Sequence, residues 1–340
     1  MAVRGFIGGV KDKASLTRAA LLSKLNATHL PLGVLRATTH AHASPPQRKH
    51  LSALLSAGDG SRATAAALVS ALMDRLQSTR NAAVALKCLL VAHHIVRRGR
   101  FILQDQLSVV PHAGGRNYVN LSAFHDPVTP GGWHLSAWVR WYALYLERLL
   151  SSSRMLGFFL GPASTATDLW RKEERVAAML NRDLLREVES LSGVMGEIQK
   201  APHESPPLGD NPLLNEIRGL VKEDRSTCAG ELSLRVMEFR HRPGLLSFAE
   251  SADLDRALRR LEHCMDKAKE MSTKEKVLRD EVWSLLRGKA ESKLMTAGGE
   301  EGRRGCESDR FMTRVSASSG DSVGWRSGRL EMREYRFRGA

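Results

Sequence analysis

Residues 80–99 read RNAAVALKCLLVAHHIVRRG. Apolar residues fill most of this stretch, and Gly99 supplies a stop at its end, so it reads as a helix. It is the most apolar run in the chain, yet Lys87 and the pair His93-His94 interrupt it, so it is not read as a membrane span. Upstream, SRATAAALVSALMDRLQS (61–78) is a second long helical segment. Short helical pieces precede it at about 29–38 and 49–57. Residues 6–25 place Phe6, Val10, Ala14, Leu21 and Leu25 on one side, with Lys11, Lys13, Arg18 and Lys24 mostly elsewhere. That pattern predicts a basic amphipathic helix.

Downstream the pattern continues. RFILQDQLSVV (100–110) is a short helix ending at Pro111, and residues 112–132 form a loop rich in Gly, Asn and Pro. HLSAWVRWYALYLERLLSSS then carries Trp138, Trp141, Tyr142 and Tyr145 at i, i+3, i+4 and i+7, a stripe read as core packing. GFFLGPASTAT (157–167) reads as a joint between two helical halves. Beyond it, Val176, Leu180, Leu184, Val188, Leu191, Met195 and Ile198 form one apolar seam. Leu254, Leu258, Leu261, Met265 and Ala268 form another, with a further helical region at about 211–241. Three antiparallel helices burying these seams make a bundle, with connections marked by Pro202, Pro206 and Pro207 and by Pro243-Gly244. The Gly-, Ser- and Arg-rich residues 289–340 read as a disordered tail. The expected fold is therefore all-α, with a helical first part (1–160), a helical extension (161–288) and the tail.

Charge is unevenly placed. Of 340 residues, the first hundred hold 15 Lys and Arg against 3 Asp and Glu, whereas the other 240 hold 36 against 34. Such segregation points to an anionic partner, either nucleic acid or an acidic membrane surface. Phe6 is the only aromatic in that basic third, so it offers no stacking platform for unpaired bases. Cys88, Cys228, Cys264 and Cys306 are scattered and suggest neither a zinc site nor a disulfide framework. Adjacent histidines on a helix diverge by a quarter-turn or more, so His93 and His94 do not make a joint metal site. No phosphate-binding glycine loop or nucleophile elbow occurs. These readings imply an intracellular protein without catalytic, metal or cofactor chemistry.

The stretch RATTHAHASPPQRKH (36–50) concentrates the basic chemistry. Arg48, Lys49 and His50 follow a Ser-Pro-Pro turn and crowd the start of a helix, whose unpaired N–H groups and macrodipole already favour phosphate. Cations there would bind a multiply phosphorylated headgroup through charge-assisted hydrogen bonds.

LRATTHAHASPPQRKHLSALL resembles the inositol-phospholipid-binding segment of the ANTH domain of clathrin assembly proteins, particularly the plant branch. VALKCLLVAHHIVRRGRFILQ is similar to that family's next helix pair, and FHDPVTPGGWHLSAWVRWYALYLE to its Phe-x-Asp loop and aromatic helix. The resemblance covers roughly residues 1–285. It implies a superhelical solenoid with a helical-bundle extension, and a non-enzymatic adaptor in clathrin-mediated endocytosis. That adaptor would bind phosphatidylinositol 4,5-bisphosphate on the cytosolic leaflet of coated pits and vesicles at the plasma membrane or Golgi. Implied headgroup residues are Arg36, Arg48, Lys49 and His50, assisted by Lys11 and Lys13. Implied partners are clathrin, adaptor complexes and vesicle SNAREs, with nucleic acid not expected. Gln47 stands where the family often has Lys, which implies weaker headgroup binding or more dependence on the first helix's cations. The tail lacks the family's Asp-Leu-Leu/Phe, Asn-Pro-Phe and Asp-Pro-Phe peptides. Asp183-Leu184-Leu185 exists, but Leu184 falls on the seam. In this family the histidine pair is a structural feature. A partner-helix scaffold and a basic nucleic-acid-binding helical protein are the alternative readings.

Overall fold

The computed structural model describes residues 11–17, 30–41, 43–108, 119–128, 132–161, 166–202, 211–242, 245–266 and 271–301, with the backbone alone described over 166–169 and 289–301. Among the described residues every regular element is helical. α1 is helical over residues 11–17. It is followed by α2 (Leu30–Ala37), α3 (Arg48–Leu55), a 3₁₀ turn (Ser56–Asp59), α4 (Arg62–Ser78), α5 (Ala82–Arg98) and α6 (Phe101–Ser108). Next come α7 (Gly132–Leu156), α8 (Ala166–Ala177), α9 (Asn181–Ile198), α10 (Pro212–Arg240), α11 (Phe248–Asp266) and α12 (Thr273–Glu301).

The helix boundaries follow local chemistry. Ser61 and Asn81 sit in extended backbone and accept the N–H groups of Thr64 and Val84, capping α4 and α5. α5 ends where Gly99 N–H bonds Ile95 O. It is buried on nearly every side, because α3, α4, α6 and α7 all pack against it. α2 and α3 pack closely enough that a Cβ at Gly33 would lie 3.1 Å from Leu54 Cδ2. Met1–Ser292 form one compact unit, and a second, Lys293–Ala340, holds the last turns of α12.

The aromatic stripe is core: Trp138, Trp141, Tyr142 and Tyr145 are all buried. α9 packs on α7, α10 and α11, and the seam residues Val188, Leu191, Met195, Leu254, Leu258, Leu261 and Met265 are buried. Leu184 is fully buried too, as its seam position required. Two expectations are corrected. Leu180 does not belong to the first seam: α8 stops at Ala177, and Leu180 is the extended N-cap residue of α9, 73% exposed. Ala14, expected on the apolar side of the first helix, is exposed. α12 runs from Thr273 to Glu301, with Leu278 and Val282 buried in its first half. Phe6, Val10, Leu21, Leu25, Ala268 and Pro243-Gly244 lie outside the described residues, as does the tail beyond 301.

Beneath the stripe lies a buried polar network. Asp224 of α10 is fully enclosed; its Oδ2 accepts from Tyr145 Oη (2.5 Å) and meets His93 Nε2 (2.5 Å), and its Oδ1 accepts from Arg97. His93 Nδ1 meets Tyr142 Oη at 2.7 Å, so both ring nitrogens are engaged. Burial pushes the Asp224 carboxyl up, but the His93, Arg97 and Tyr145 contacts outweigh it and hold it below the ordinary carboxylate range. His94 Nε2 lies 3.2 Å from Glu216. The histidine pair therefore ties α5 to α10, and α7 shares the same carboxylate. Among the described residues no group of three or more His, Cys, Asp or Glu could hold a metal ion. No described helix is long and apolar enough to cross a membrane.

Candidate phosphoinositide-binding site

α2 delivers Arg36 in its last turn, and α3 begins with Arg48, Lys49 and His50. Arg36, Arg48 and Lys49 are exposed, and His50 is half-buried. The N-cap of α3 is Gln47, whose side chain makes no capping bond, and its first turn carries no acidic residue. The opening N–H groups of an α-helix have no intrahelical acceptor, so this end keeps donors and partial positive charge for an incoming anion. Among the described residues no carboxylate pairs with Arg36, Arg48 or Lys49.

Arg36, Lys49 and His50 lie together at the α2–α3 junction. His50 has its pKa lowered by burial first, then by the charges of Lys49 and Arg36. The Arg36 effect requires the end of α2 to stand beside the start of α3. Cations held this close repel one another, and a polyphosphate relieves that repulsion.

The loop between α2 and α3 is fixed by residues that the sequence did not mark as part of the site. Lys87, only 1% exposed, donates to Thr39 O (2.9 Å) and Thr39 Oγ1 (3.1 Å). Burial lowers the Lys87 pKa to about 8, with nearby Asp12 opposing the fall. Arg75 Nη2 donates to Thr38 O (3.3 Å), and Thr38 Oγ1 to Val34 O (2.7 Å). Asp12 of α1 accepts from the His40 backbone N–H (2.9 Å) and contacts its Nδ1 (2.5 Å). Lys11 and Lys13, exposed on either side of Asp12 in sequence, are thereby brought to the loop. Leu213 N–H donates to Ala43 O (3.1 Å), tying the start of α10 to the same loop. Read alone, Lys87 was a charge breaking an apolar run; nothing local marks it as the loop's anchor.

Fold and site together define an ENTH/ANTH-type helical superhelix with a basic cluster at the α2–α3 junction. The family model described as "ANTH domain" matches residues 29–207. An Arabidopsis thaliana protein titled "Putative clathrin assembly protein" is 44% identical over 342 residues, covering 95% of this chain and 93% of its own length. A second Arabidopsis protein of that title is 31% identical, covering 82% of each chain. A third is 27% identical, covering 82% of this chain and 95% of its own. The chain belongs to the ANTH-domain family.

Proposed function

We propose that this protein is a peripheral membrane adaptor in clathrin-mediated endocytosis. It would bind phosphatidylinositol 4,5-bisphosphate through Arg36, Arg48, Lys49 and His50, with Lys11 and Lys13 assisting. What supports this reading is the uncapped start of α3 at Arg48, Lys49 and His50, the packing of α2 on α3 beside Arg36, and the lack of a carboxylate partner for Arg36, Arg48 and Lys49 among the described residues. Each cation near an anionic surface contributes on the order of 1 kcal/mol, so the cluster gives reversible docking. No bond is made or broken. In this reading residues 1–160 carry the membrane contact and 161–288 serve as the extension. The clathrin role rests on the relatives' titles, whose similarity spans nearly the whole chain. Residues 289–340 contain none of the family's short clathrin and adaptor peptides.

A second reading has the extension gripping a partner helix such as a vesicle SNARE. It draws on a groove of about 420 Å³ between α8 and α10, lined by Trp170, Val176, Leu234 and Met237 and edged by Glu173, Glu174 and Glu238. Co-sedimentation of the full chain with phosphatidylcholine vesicles, with and without the bisphosphate lipid, tests the main reading. Pelleting should depend on that lipid. Equal pelleting without it would overturn the assignment.

A further inference from the structure

We propose that Val128 and Trp133, on the turn leading into α7, enter the interfacial layer of the same bilayer whose headgroup the basic cluster holds. This rests on the headgroup reading above. Val128 is 72% exposed and Trp133 64% exposed, in a chain whose other aromatic side chains on α7 are buried.

The described residues on either side of this turn are tied together. Asp126, itself buried, accepts the Ala82 N–H through Oδ2 (2.9 Å) and the Val128 N–H through Oδ1 (3.0 Å). Its own N–H donates to Ser136 Oγ (2.9 Å), and Ser136 Oγ donates to Gly132 O (2.6 Å). Arg140 Nη1 donates to Phe124 O (2.9 Å). Gly132 lies so close that an added Cβ would stand 2.7 Å from Asp126 O.

The turn and the cluster share one end of the compact unit. Asp126 joins the first residue of α5 to the start of α7. His93 meets Tyr142, each about three turns into its helix, so α5 and α7 run in parallel from that end. The loop carrying the cations is fixed to the same end by Arg75, in the last turn of α4, and by Lys87, whose long side chain leans toward the start of α5. Exposed Arg80 sits at the α4–α5 corner between them. An anionic bilayer drawn to the cations therefore meets the turn as well. An indole beside a valine suits the interface, where an apolar ring is buried while its N–H stays near headgroups.

The test compares the full chain with Trp133→Ala and Val128→Glu in two assays: pelleting with phosphatidylcholine/phosphatidylserine vesicles containing phosphatidylinositol 4,5-bisphosphate, and calorimetric binding of soluble inositol trisphosphate. Each variant should lose roughly tenfold in vesicle affinity, the scale of leaving one large apolar side chain in water. Soluble-headgroup binding and melting temperature should not move. Vesicle affinity equal to the parent in both variants would overturn the proposal and leave the turn to a protein partner. Parallel loss in both assays would overturn it too, placing Trp133 in the headgroup pocket. Failure of the underlying reading looks different: the parent chain itself would not bind the soluble headgroup.

Discussion

Replacing Asp224 by Asn keeps the side-chain shape and removes the charge on which α5, α7 and α10 converge. Arg97 (3% side-chain exposure) and His93 (none) would then face an amide, although Arg97 would keep Glu223 at 2.6 Å. Removing one member of a buried ion pair typically costs about 3–5 kcal/mol, and the surviving Glu223 contact argues for the lower end, about 3 kcal/mol. For a unit of about 290 residues, with an unfolding entropy of about 2.1 cal/mol/K per residue, that lowers the melting temperature by about 5 °C. Guanidinium titration supplies the free energy directly. The pH dependence has a definite sign. The folded Asp224 binds its proton less readily than the unfolded chain does. Its stabilisation is complete above the ordinary carboxylate range and disappears as pH falls through the lower folded value. The Asp224→Asn change should remove that acid-dependent loss. Arg97→Met combined with Asp224→Asn should cost less than the two single changes together. A loss below about 1 kcal/mol, with additive singles, would refute the idea that this network ties α5, α7 and α10 together.

Three other outcomes are expected. Headgroup affinity should rise as pH falls through the range in which His50 takes up its proton, because burial and then Lys49 and Arg36 depress the free imidazole and a bound phosphate favours its protonated form; His50→Gln should flatten the profile measured by calorimetry. Asp12→Ala removes both contacts to His40 and frees α1, so vesicle affinity should drop roughly tenfold through displaced Lys11 and Lys13, measured by co-sedimentation. Gly132→Ala drives a Cβ against a backbone oxygen and should cost about 1–3 kcal/mol in chemical denaturation.

The helices were legible wherever a cap, a stop or a regular apolar spacing was strong. Asn81 and Gly99 bracket α5, and the stripe from Trp138 to Tyr145 fixes the buried face of α7. The seam through Leu180 misled because a chain break can fall between two helices without disturbing a four-residue spacing. The charged sequence of α12 hid it, since few of its described side chains are buried. Arg48, Lys49 and His50 of the proposed site could be read because they crowd the first turn of α3, with Arg36 in the last turn of α2. What fixes them could not be: Lys87 lies 48 residues from Thr39 and Asp12 lies 28 from His40. Asp224 and His93 are 131 apart, and neither sequence neighbourhood announces the other.

The most direct measurement is calorimetric titration of soluble inositol trisphosphate into the full chain and into its Lys49→Glu/His50→Ala variant. Both substituted side chains lie on the surface or half-buried at the start of α3, so the fold should survive. Loss of at least roughly tenfold in affinity at an unchanged melting temperature is the predicted result. Equal affinity in the two proteins would contradict it, and the headgroup would have to sit elsewhere.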